Sequence, residues 1–479
     1  MKLGLQDIDL YYGTQYVSDA YFNGVKVWTR YADIRDYGAS ELATPAQNSA
    51  AVEAALAVND YVYFGDTGEE YTFLKPIRPQ SGARLKIYST LKLIDTSIGV
   101  LAADVNAGEF DVTLVDASDF HINQTVVIYD DNSWNTILRG FPLWRSWGAR
   151  ITNKVGNTIT LDKTFSSFTT LNGQVKYEVS ANAKCYHSQG NIICEDKENI
   201  TIEGAGIIDN NRAGQHYSSP AGVGGGVENW ECANAVLFFN CSNCTIRDVT
   251  INYGNIHGLG IHGLSLGGSS YSWCYDISVI NIKTNYCQQK GIEVRYLIGA
   301  YFKNNQTDNS YTEDGLMFYT RANNIVIDGH KCSGNLRSGF AWSANCVGLI
   351  ANNIEALGGN GVGIRSSSKN AVFNDCESVG DLVVVTGEYD CENIEFNNLI
   401  IRNTTKTYIL DLRRDVKDIR FNNLQIIDCN GIGIAARLDG GAGYPTEVVF
   451  TNGGLINHTG TPTSIEVGSD VTFTNFTGV

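Results

Sequence analysis

The sequence predicts an all-β fold in which the chain coils into a parallel β-helix, a solenoid of stacked rungs. Three observations support this prediction: a short phrase that recurs about every 23 residues, a second apolar run in each repeat, and the lack of helical spacing between 281 and 475. Self-similarity of this kind is typical of solenoids, in which each repeat packs only on its neighbours.

The recurring phrase consists of apolar or aromatic residues followed by Asn or Asp, often with Asn or Gly next. An Asn in this position fits a tight turn, where its side chain bonds the backbone or the Asn of the next rung. Counted from Asn281, the copies are Phe302–Asn305, Ile327–Gly329, Ala351–Asn353, Phe373–Asp375, Phe396–Asn398, Phe421–Asn423, Thr451–Gly453 and Thr474–Asn475.

The second apolar run of each repeat is usually opened by Gly. Its residues alternate with period two, as in strands that have one buried face. Two or three short strands joined by polar turns therefore make one rung. The runs are Gly258–His262, Gly291–Arg295, Gly315–Tyr319, Gly339–Ser343, Gly361–Arg365 and Gly431–Ala435.

Composition agrees with a long core and excludes several classes of partner. The 479 residues are 43% apolar, and the formal net charge of −16 argues against binding to nucleic acid or to an anionic membrane surface. No apolar run approaches the roughly 18 residues of a membrane helix. The first residues lack the basic and apolar regions of a signal peptide, so we expect synthesis in a cytosol.

Twelve Cys occur, several of them in the repeat strands and turns, where a free thiol packs as a small apolar residue. Cys241 and Cys244 have CxxC spacing, but no second pair at zinc-finger spacing accompanies them. Structural thiols are expected, with a disulfide or a metal site as alternatives. The sequence predicts no bound metal and no cofactor.

Changes in pattern divide the chain into four segments. These are an attachment segment at 1–30, a cap with the first rungs at 31–105, a small inserted β-domain at 106–180 and the main β-helix at 181–479. In the first segment, Leu3–Gly13 and Ala20–Trp28 are expected to form one hairpin, which is too small to be stable without a partner surface. In the second, the Ala-rich stretch Asn48–Ala57 predicts a helix that covers the open end of the solenoid.

Three insertions are candidates for function, since long loops on a regular scaffold commonly carry it. The stretch Asp130–Ala149 is expected to be a loop whose Trp and Arg residues suit sugar rings or a protein partner, with ordinary packing as the alternative. The others, 210–232 and 264–274, lengthen early rungs and contain Trp230 and Trp273.

The order of Asp33–Ala39, the helix and the aromatic strand Tyr61–Gly65 resembles the start of pectate-lyase-like β-helix proteins, a group that includes phage tailspikes. With the repeats, the resemblance covers residues 31–479. It implies a right-handed, single-stranded parallel β-helix and a homotrimer with the helices side by side. Residues 1–30 are similar to attachment segments of phage structural proteins, which implies a tail or baseplate protein as partner; the alternative is an extra cap on the main domain.

The run Gly291–Arg295 indicates which side chains leave the core. If Ile292 and Val294 point inward, Glu293 and Arg295 point outward, because strand side chains alternate. Aligning the runs stacks the outward residues about 4.8 Å apart in two columns. One column contains His262, Arg295, Tyr319, Ser343 and Arg365, and the other contains Gly260, Glu293, Met317, Ala341 and Gly363. Gly and Ala beside Glu293 are expected to leave room for a ligand.

Two carboxyl groups beside a glycosidic bond are the minimum for hydrolysis. Asp314 lies one rung after Glu293 and three positions back along the strand, so their Cα atoms are expected about 11 Å apart. Side chains that lean together would bring the carboxyl groups into the about 6.5–9.5 Å window of inverting enzymes. The candidate catalytic residues are Glu293, Asp314 and Glu313, and the candidate substrate contacts are His262, Arg295, Tyr319, Trp273, Trp230 and Arg365.

The same face permits elimination, with Arg295 or His262 taking the proton beside a uronic carboxylate and Tyr319 acting as the acid. The alternative without chemistry is that Glu293 and Arg295 form a solvated ion pair worth at most about 1 kcal/mol. The charged stretch Asp411–Asp415 is expected to be a solvated edge.

Together with the resemblance, these observations predict a phage tailspike or receptor-binding protein that assembles in the host cytoplasm and lies on the virion. It would bind and depolymerise a bacterial surface polysaccharide, a capsule or an O-antigen. Glycoside hydrolysis is favoured slightly over polysaccharide lyase activity. The alternative is a lectin-like adhesin without catalysis, or a structural spike on the particle; neither nucleic acid nor membrane insertion is expected.

Overall fold

A computed structural model describes residues 11–478 of the chain, apart from several short segments and one long one. The segments outside the described structure are 13–14, 17–18, 23–24, 30, 139–140, 165–175, 188, 215–233, 268–269, 359–360, 388–390 and 440–442.

The main body is a parallel β-helix in which each full rung contributes to three parallel sheets. Sheet A contains the Gly-led runs, such as Lys290–Arg295; sheet B contains Cys274–Ile280, and sheet C contains Lys283–Asn285. Pairing joins each rung to the next in parallel register, for example Phe396 to Phe421. The predicted fold class is therefore confirmed.

Several strands, such as Leu297–Asp308, continue around a corner and pair in two sheets. In chain order the strands of the β-helix from residue 192 onward are Ile192–Glu195, Thr201–Glu203, Ile207–Asp209, Asn234–Phe239, Thr245–Arg247, Thr250–Asn252, His257–His262, Cys274–Ile280, Lys283–Asn285, Lys290–Arg295, Leu297–Asp308, Leu316–Phe318, Ala322–Ser333, Ser338–Leu357, Val362–Asn374, Glu377–Val379, Leu382–Thr386, Glu392–Asn397, Ile400–Arg402, Tyr408–Arg413, Lys417–Ile427, Ile432–Arg437, Thr446–Ile456, Thr461–Ile465 and Val471–Thr477. A 3₁₀ turn at Arg212–Gly214 and a hairpin of Leu264–Gly267 with Ser270–Ser272 project from the early rungs.

The interior of the coil is one continuous apolar core. Its later rungs carry a ladder of stacked phenylalanine rings, with successive centroids 4.7 to 5.0 Å apart. This spacing follows from the separation of neighbouring strands, because the same residue recurs at the same place on each rung. The ladder consists of Phe373, Phe396, Phe421, Phe450 and Phe473.

The Asn doublets have two separate roles in the turns. The first Asn stacks on its counterparts: Asn397 donates to Asn374 at 2.9 Å and accepts from Asn422 at 2.8 Å. The second adopts left-handed backbone geometry, as Asn398 does with φ of 59°, a conformation that Asn tolerates better than most residues. The predicted role of the recurring Asn is confirmed.

The amino-terminal cap contains the predicted helix, which spans Pro45–Val58. The Thr44 hydroxyl accepts a hydrogen bond from the backbone N–H of Gln47, a capping contact that fixes where the helix begins. Its buried face, including Val52 and Ala55, joins the solenoid core at the first rungs. The neighbouring elements are Ala32–Asp33, the 3₁₀ turn Ile34–Tyr37, Tyr61–Phe64, Glu70–Phe73, Arg84–Ile87 and Thr90–Leu93.

The expected single hairpin near the amino end is wrong in detail. Tyr11–Tyr12 pairs with Gln15–Tyr16, and Asp19–Phe22 pairs with Val25–Thr29, so there are two short hairpins. The sequence Asn23-Gly24, between the last two strands, is a strong hairpin signal that divides the stretch expected to be one strand. Residues 3–10 of the expected first strand lie outside the described residues.

The insertion forms a small antiparallel sheet with its own apolar core. The stretch Asp130–Ala149, which was expected to be a loop, is not one: most of it belongs to two long paired strands. Backbone hydrogen bonds hold this ribbon, so its polar sequence does not prevent pairing. The elements are Ile98–Val100, Val105–Asn106, Asp111–Thr113, Thr125–Leu138, Phe141–Val155, Thr158–Leu161, Lys176–Tyr177, the 3₁₀ turn Val179–Ala181 and Lys184–His187.

The eleven cysteines among the described residues are free and buried. Burial in the apolar core raises the pKa of these thiols in most cases, for example that of Cys287 to about 12. Their packing is that of small apolar residues. Among the helices of the described part, none is long and apolar enough to cross a membrane.

Candidate active site on sheet A

Glu293 lies on the outer side of sheet A, because Ile292 and Val294 on either side of it are in the solenoid core. In register it pairs with Gly260 on the preceding rung and with Met317 on the following one. These are the neighbours expected from the repeats.

Although Glu293 points away from the core, it is fully buried, with 0% of its surface exposed. The space beside Gly260 is filled by the side chain of Asn234, whose amide occupies the place where a Cβ at position 260 would stand. The expectation that Gly260 leaves room for a ligand is therefore wrong. A side chain from the preceding rung takes that room.

Four basic side chains surround the Glu293 carboxylate. Lys290 Nζ and Arg295 Nη2 each donate to Oε1 at 2.8 Å, and Nε2 of His257 and of His262 lie 3.2 and 3.4 Å from Oε2. Burial by itself raises the pKa of Glu293, but Arg295, Lys290 and His257 outweigh it and hold the pKa well below its ordinary value. Glu293 is therefore an ionised carboxylate rather than a proton donor.

The two histidines are neutral at neutral pH. Burial lowers the pKa of His262 to about 3, and the attraction of Glu293 only partly opposes that effect. Burial lowers the pKa of His257 as well, again against the opposing effect of Glu293. Two uncharged imidazoles thus stand beside an ionised carboxylate and a guanidinium.

Lys290 connects Glu293 to Glu313 on the next rung. Its ammonium lies 2.8 Å from Glu313 Oε2 as well as 2.8 Å from Glu293 Oε1. Burial lowers the pKa of Lys290, but the two carboxylates raise it by more, so the amine is charged. Glu313 is thereby held at the edge of the cluster.

Asp314 is the second buried carboxylate of this region. The Gly291 N–H donates to its carbonyl oxygen at 3.3 Å, so it stands on the next rung beside Lys290. None of the surface of Asp314 is exposed, and within the described structure neither of its carboxylate oxygens accepts a hydrogen bond. The nearest cation is Arg337, whose Nη1 is 3.9 Å from Oδ2.

Arginine side chains form the solvent side of the site. Arg295 is 25% exposed and its guanidinium lies 4.7 Å from the ring centroid of half-buried Tyr319, while Arg337 is 37% exposed. The buried carboxylates thus form the floor and the arginines form the rim. An approaching ligand meets positive charge first.

The structure places Trp273 in an aromatic cluster at the end of the same strand. Its ring packs edge-on against Tyr271 and Tyr296, with centroids 5.9 Å away in both cases, and Tyr296 directly follows Arg295. Arg321 covers the Tyr271 ring at 4.5 Å. Trp230, the other proposed tryptophan, lies outside the described residues.

Arg365 does not stand in the column of Arg295, which corrects the expected alignment. It pairs with Ala341, so it belongs to the Glu293 column, three rungs further on. At about 4.8 Å per rung, that is about 14 Å from Glu293. The error came from aligning Gly361 with Gly339, whereas Gly363 occupies the inward corner that corresponds to Gly339.

A second charge cluster surrounds Asp411, which is fully buried rather than part of a solvated edge. Arg413 donates to its Oδ2 at 2.8 Å, and Arg437 donates to both carboxylate oxygens at 2.9 Å. Asp439 lies 3.2 to 3.3 Å from the same two arginines. The expectation of solvation failed because Asp411 lies mid-strand, facing a guanidinium of the next rung.

Sequence reasoning missed His257, Lys290 and Arg337. His257 lies on the same strand as His262 and in register with Lys290. His257 and Lys290 directly precede the Gly-led runs that begin at Gly258 and Gly291, so aligning those runs places the two residues side by side. Arg337 lies in a turn, where periodicity gives no orientation.

Among the described residues, no group of three or more His, Cys, Asp or Glu side chains is placed to hold a metal ion. The chemistry that the site offers is that of carboxylates, neutral imidazoles and guanidinium groups. Such groups can bind anions and exchange protons.

No protein-family model matches the sequence, and no curated protein matches it. Solved structures do match. The A-module of mannuronan C-5 epimerase AlgE6 from Azotobacter vinelandii is similar over 93% of this chain and 98% of its own, with 13% identity and a TM-score of 0.50.

An exopolygalacturonase of Thermotoga maritima is similar over 93% of this chain and 91% of its own, also with 13% identity and a TM-score of 0.50. The tailspike protein gp49 of Pseudomonas phage LKA1 matches over 94% of this chain and 81% of its own, with 12% identity and a TM-score of 0.40. At 13% identity, the similarity to the epimerase module and to the exopolygalacturonase establishes a shared parallel β-helix fold.

Proposed function

We propose that this chain is a phage tailspike that binds a bacterial surface polysaccharide on sheet A and depolymerises it there. One observation carries the proposal: two buried carboxylates, Glu293 and Asp314, stand one rung apart beneath partly exposed arginines. A pair of carboxyl groups in distinct environments is what glycosidic cleavage requires.

Hydrolysis assigns the two carboxyl groups different roles. Glu293 is kept ionised by Lys290 and Arg295, so it takes the proton of the attacking water. Asp314 then donates a proton to the glycosidic oxygen as the bond to the sugar carbon breaks, and the product has inverted configuration. Glu313 holds Lys290 in place.

Elimination is a second candidate reaction, favoured by the neutral histidines. An imidazole of His257 or His262 takes the proton beside a uronic carboxylate, the leaving oxygen departs, and Tyr319 protonates it. The product is then an unsaturated sugar rather than a hydrated one. The two reactions differ in whether water is added.

The virion part of the proposal is supported by the resemblance of the amino-terminal sequence, Asp33–Ala39 with the helix and aromatic strand that follow, to tailspikes. The short hairpins before residue 30 would attach the protein to the particle through a tail or baseplate protein. A homotrimer with parallel β-helix axes belongs to the same proposal.

The test incubates the protein with purified capsular polysaccharides and O-antigens and follows reducing ends, ultraviolet absorbance and binding. Hydrolysis releases reducing ends without absorbance, and elimination produces both. We expect Asp314→Asn and Glu293→Gln to lower cleavage by about 10²- to 10⁴-fold. The control Glu377→Gln alters a carboxylate paired with Arg402 on sheet C and should leave cleavage unchanged.

Binding without cleavage by the unaltered protein would indicate a lectin-like adhesin instead. Neither binding nor cleavage would favour a structural spike. If both site variants cleave as fast as the unaltered protein, the enzyme assignment stands but these residues do not carry it.

A further inference from the structure

We infer that Arg337 is the residue that makes this site selective for acidic polysaccharides, by binding the carboxylate of a uronic acid or a similar anionic substituent. The inference rests on the proposed function, since it names the substrate class of the same site. It assigns to Arg337 a role in specificity rather than in proton transfer.

Arg295 is a weaker candidate for this role. Its Nη2 is bonded to Glu293 at 2.8 Å, and its guanidinium lies over the Tyr319 ring. A guanidinium fixed by a buried carboxylate has fewer donors for an incoming anion. A contact with the carboxylate of a sugar acid at this site is therefore better made by another cation.

Arg337 has the donors that this contact needs. Its side chain is 37% exposed and makes no hydrogen bond with any residue that the structure describes. Its one acidic neighbour there is Asp314, at 3.9 Å, which is beyond hydrogen-bond distance. The planar fork of a guanidinium matches a carboxylate with two parallel hydrogen bonds.

The backbone of Arg337 is tied on both sides, so the free side chain starts from a fixed point. Its N–H donates to the Glu313 carbonyl at 3.1 Å on the preceding rung, and its carbonyl accepts from the Val362 N–H on the next rung. These two bonds fix the backbone position from which the guanidinium reaches Asp314.

The position also favours an anion for electrostatic reasons. Apart from Asp314, the proton donor of the proposed hydrolysis, the formal charges nearest the site are two carboxylates, Glu293 and Glu313, and three cations, Lys290, Arg295 and Arg337. Both carboxylates are paired with Lys290, which leaves Arg337 as the exposed positive group nearest Asp314. In a chain of net charge −16, such a group is a local attraction for an acidic sugar.

The experiment compares Arg337→Gln with the unaltered protein on neutral and uronate-containing capsular polysaccharides. Each uronate-containing polymer is also tested after carbodiimide activation and borohydride reduction of its carboxyl groups. The control is Arg402→Gln, which removes an exposed arginine of the same charge from sheet C. KM and kcat are measured separately, and folding is checked by circular dichroism.

We expect Arg337→Gln to raise KM for the acidic polymer about ten- to a hundredfold with little change in kcat, because a charge-assisted bidentate contact is lost from bound and reacting states alike. Reduction of the polymer's carboxyl groups should raise KM equally for the unaltered protein and the Arg402→Gln variant. It should leave the KM of the Arg337→Gln variant unchanged.

Two other results would overturn the inference while the proposed function stands: cleavage of neutral polymers only, or equal behaviour of Arg337→Gln and Arg402→Gln on acidic ones. If the unaltered protein neither binds nor cleaves any polymer, the proposed function itself fails.

Discussion

The Glu293 and Asp411 clusters occupy one column of sheet A, five pairings apart: Glu293 to Met317, Ala341, Arg365, Val384 and Asp411. Each is built on a buried acid with an arginine two residues later on the same strand, at 2.8 Å. The same local pattern thus appears twice on the outer face of one sheet.

The clusters differ in how completely their polar groups are paired. Both oxygens of Asp411 accept from guanidinium groups, and Asp439 lies against those two arginines. Beside Glu293, in contrast, the Asp314 carboxylate accepts no hydrogen bond from the described residues, and the Arg337 guanidinium makes no hydrogen bond with them. A saturated network stabilises the rungs, whereas an unsaturated one has groups left for a ligand.

The largest stability effect is expected from Asp411→Asn. Removing the acid leaves Arg413 and Arg437 without their buried counter-charge, which should lower the free energy of unfolding by about 3 kcal/mol. Urea denaturation followed by circular dichroism measures it. Asp314→Asn is the matched variant and should change stability by less than about 1 kcal/mol, because no hydrogen bond is lost. Equal losses in the two variants would contradict the comparison.

A pH effect of intermediate size should distinguish the clusters, because only the Glu293 cluster contains imidazoles. The folded pKa of His262 is about 3, below the ordinary 6.5, so the unfolded chain binds the proton first. Stability should therefore fall as pH drops from about 6.5 towards 3. Glu293 has a depressed pKa too, so its contribution is present above its ordinary pKa of 4.5 and is lost only at lower pH, as the folded pKa is reached.

His262→Gln should flatten this dependence between pH 6.5 and pH 4.5, measured as thermal unfolding midpoints across the range. The control is His458→Gln, a change in a turn of a later rung, where Nε2 lies 3.2 Å from the Thr461 carbonyl. An unchanged slope in His262→Gln would mean that this imidazole is not held neutral.

The smallest effect is expected from Lys331→Gln, which breaks an exposed ion pair with Glu355 at 3.1 Å. Because the two side chains are 46% and 41% exposed, solvent and salt screen the pair, and the loss should be about 0–1 kcal/mol. Urea denaturation at low and at high salt measures it. A loss as large as that of Asp411→Asn would show that burial does not separate the two kinds of ion pair.

Much of the fold follows from local pattern. The alternation of Ile292, Glu293 and Val294 is a property of one strand, and it correctly predicts which side chains leave the core. The Asn doublets likewise predict stacked turns, because a turn is decided by a few consecutive residues. The error at Arg365 shows the limit of this reasoning. Gly361 and Gly363 allow two alignments with Gly339, and only the strand pairing in the folded structure selects Gly363.

The sequence by itself therefore determined the parallel β-helix, the cap helix and the outer position of Glu293. Only the tertiary structure decided that Asn234 covers the place beside Gly260, that Lys290 joins Glu293 to Glu313, and that Arg337 stands near Asp314. The physical reason is that the pattern of a repeat lies in consecutive residues of one rung. Burial and charge pairing depend instead on side chains that other rungs and loops bring together.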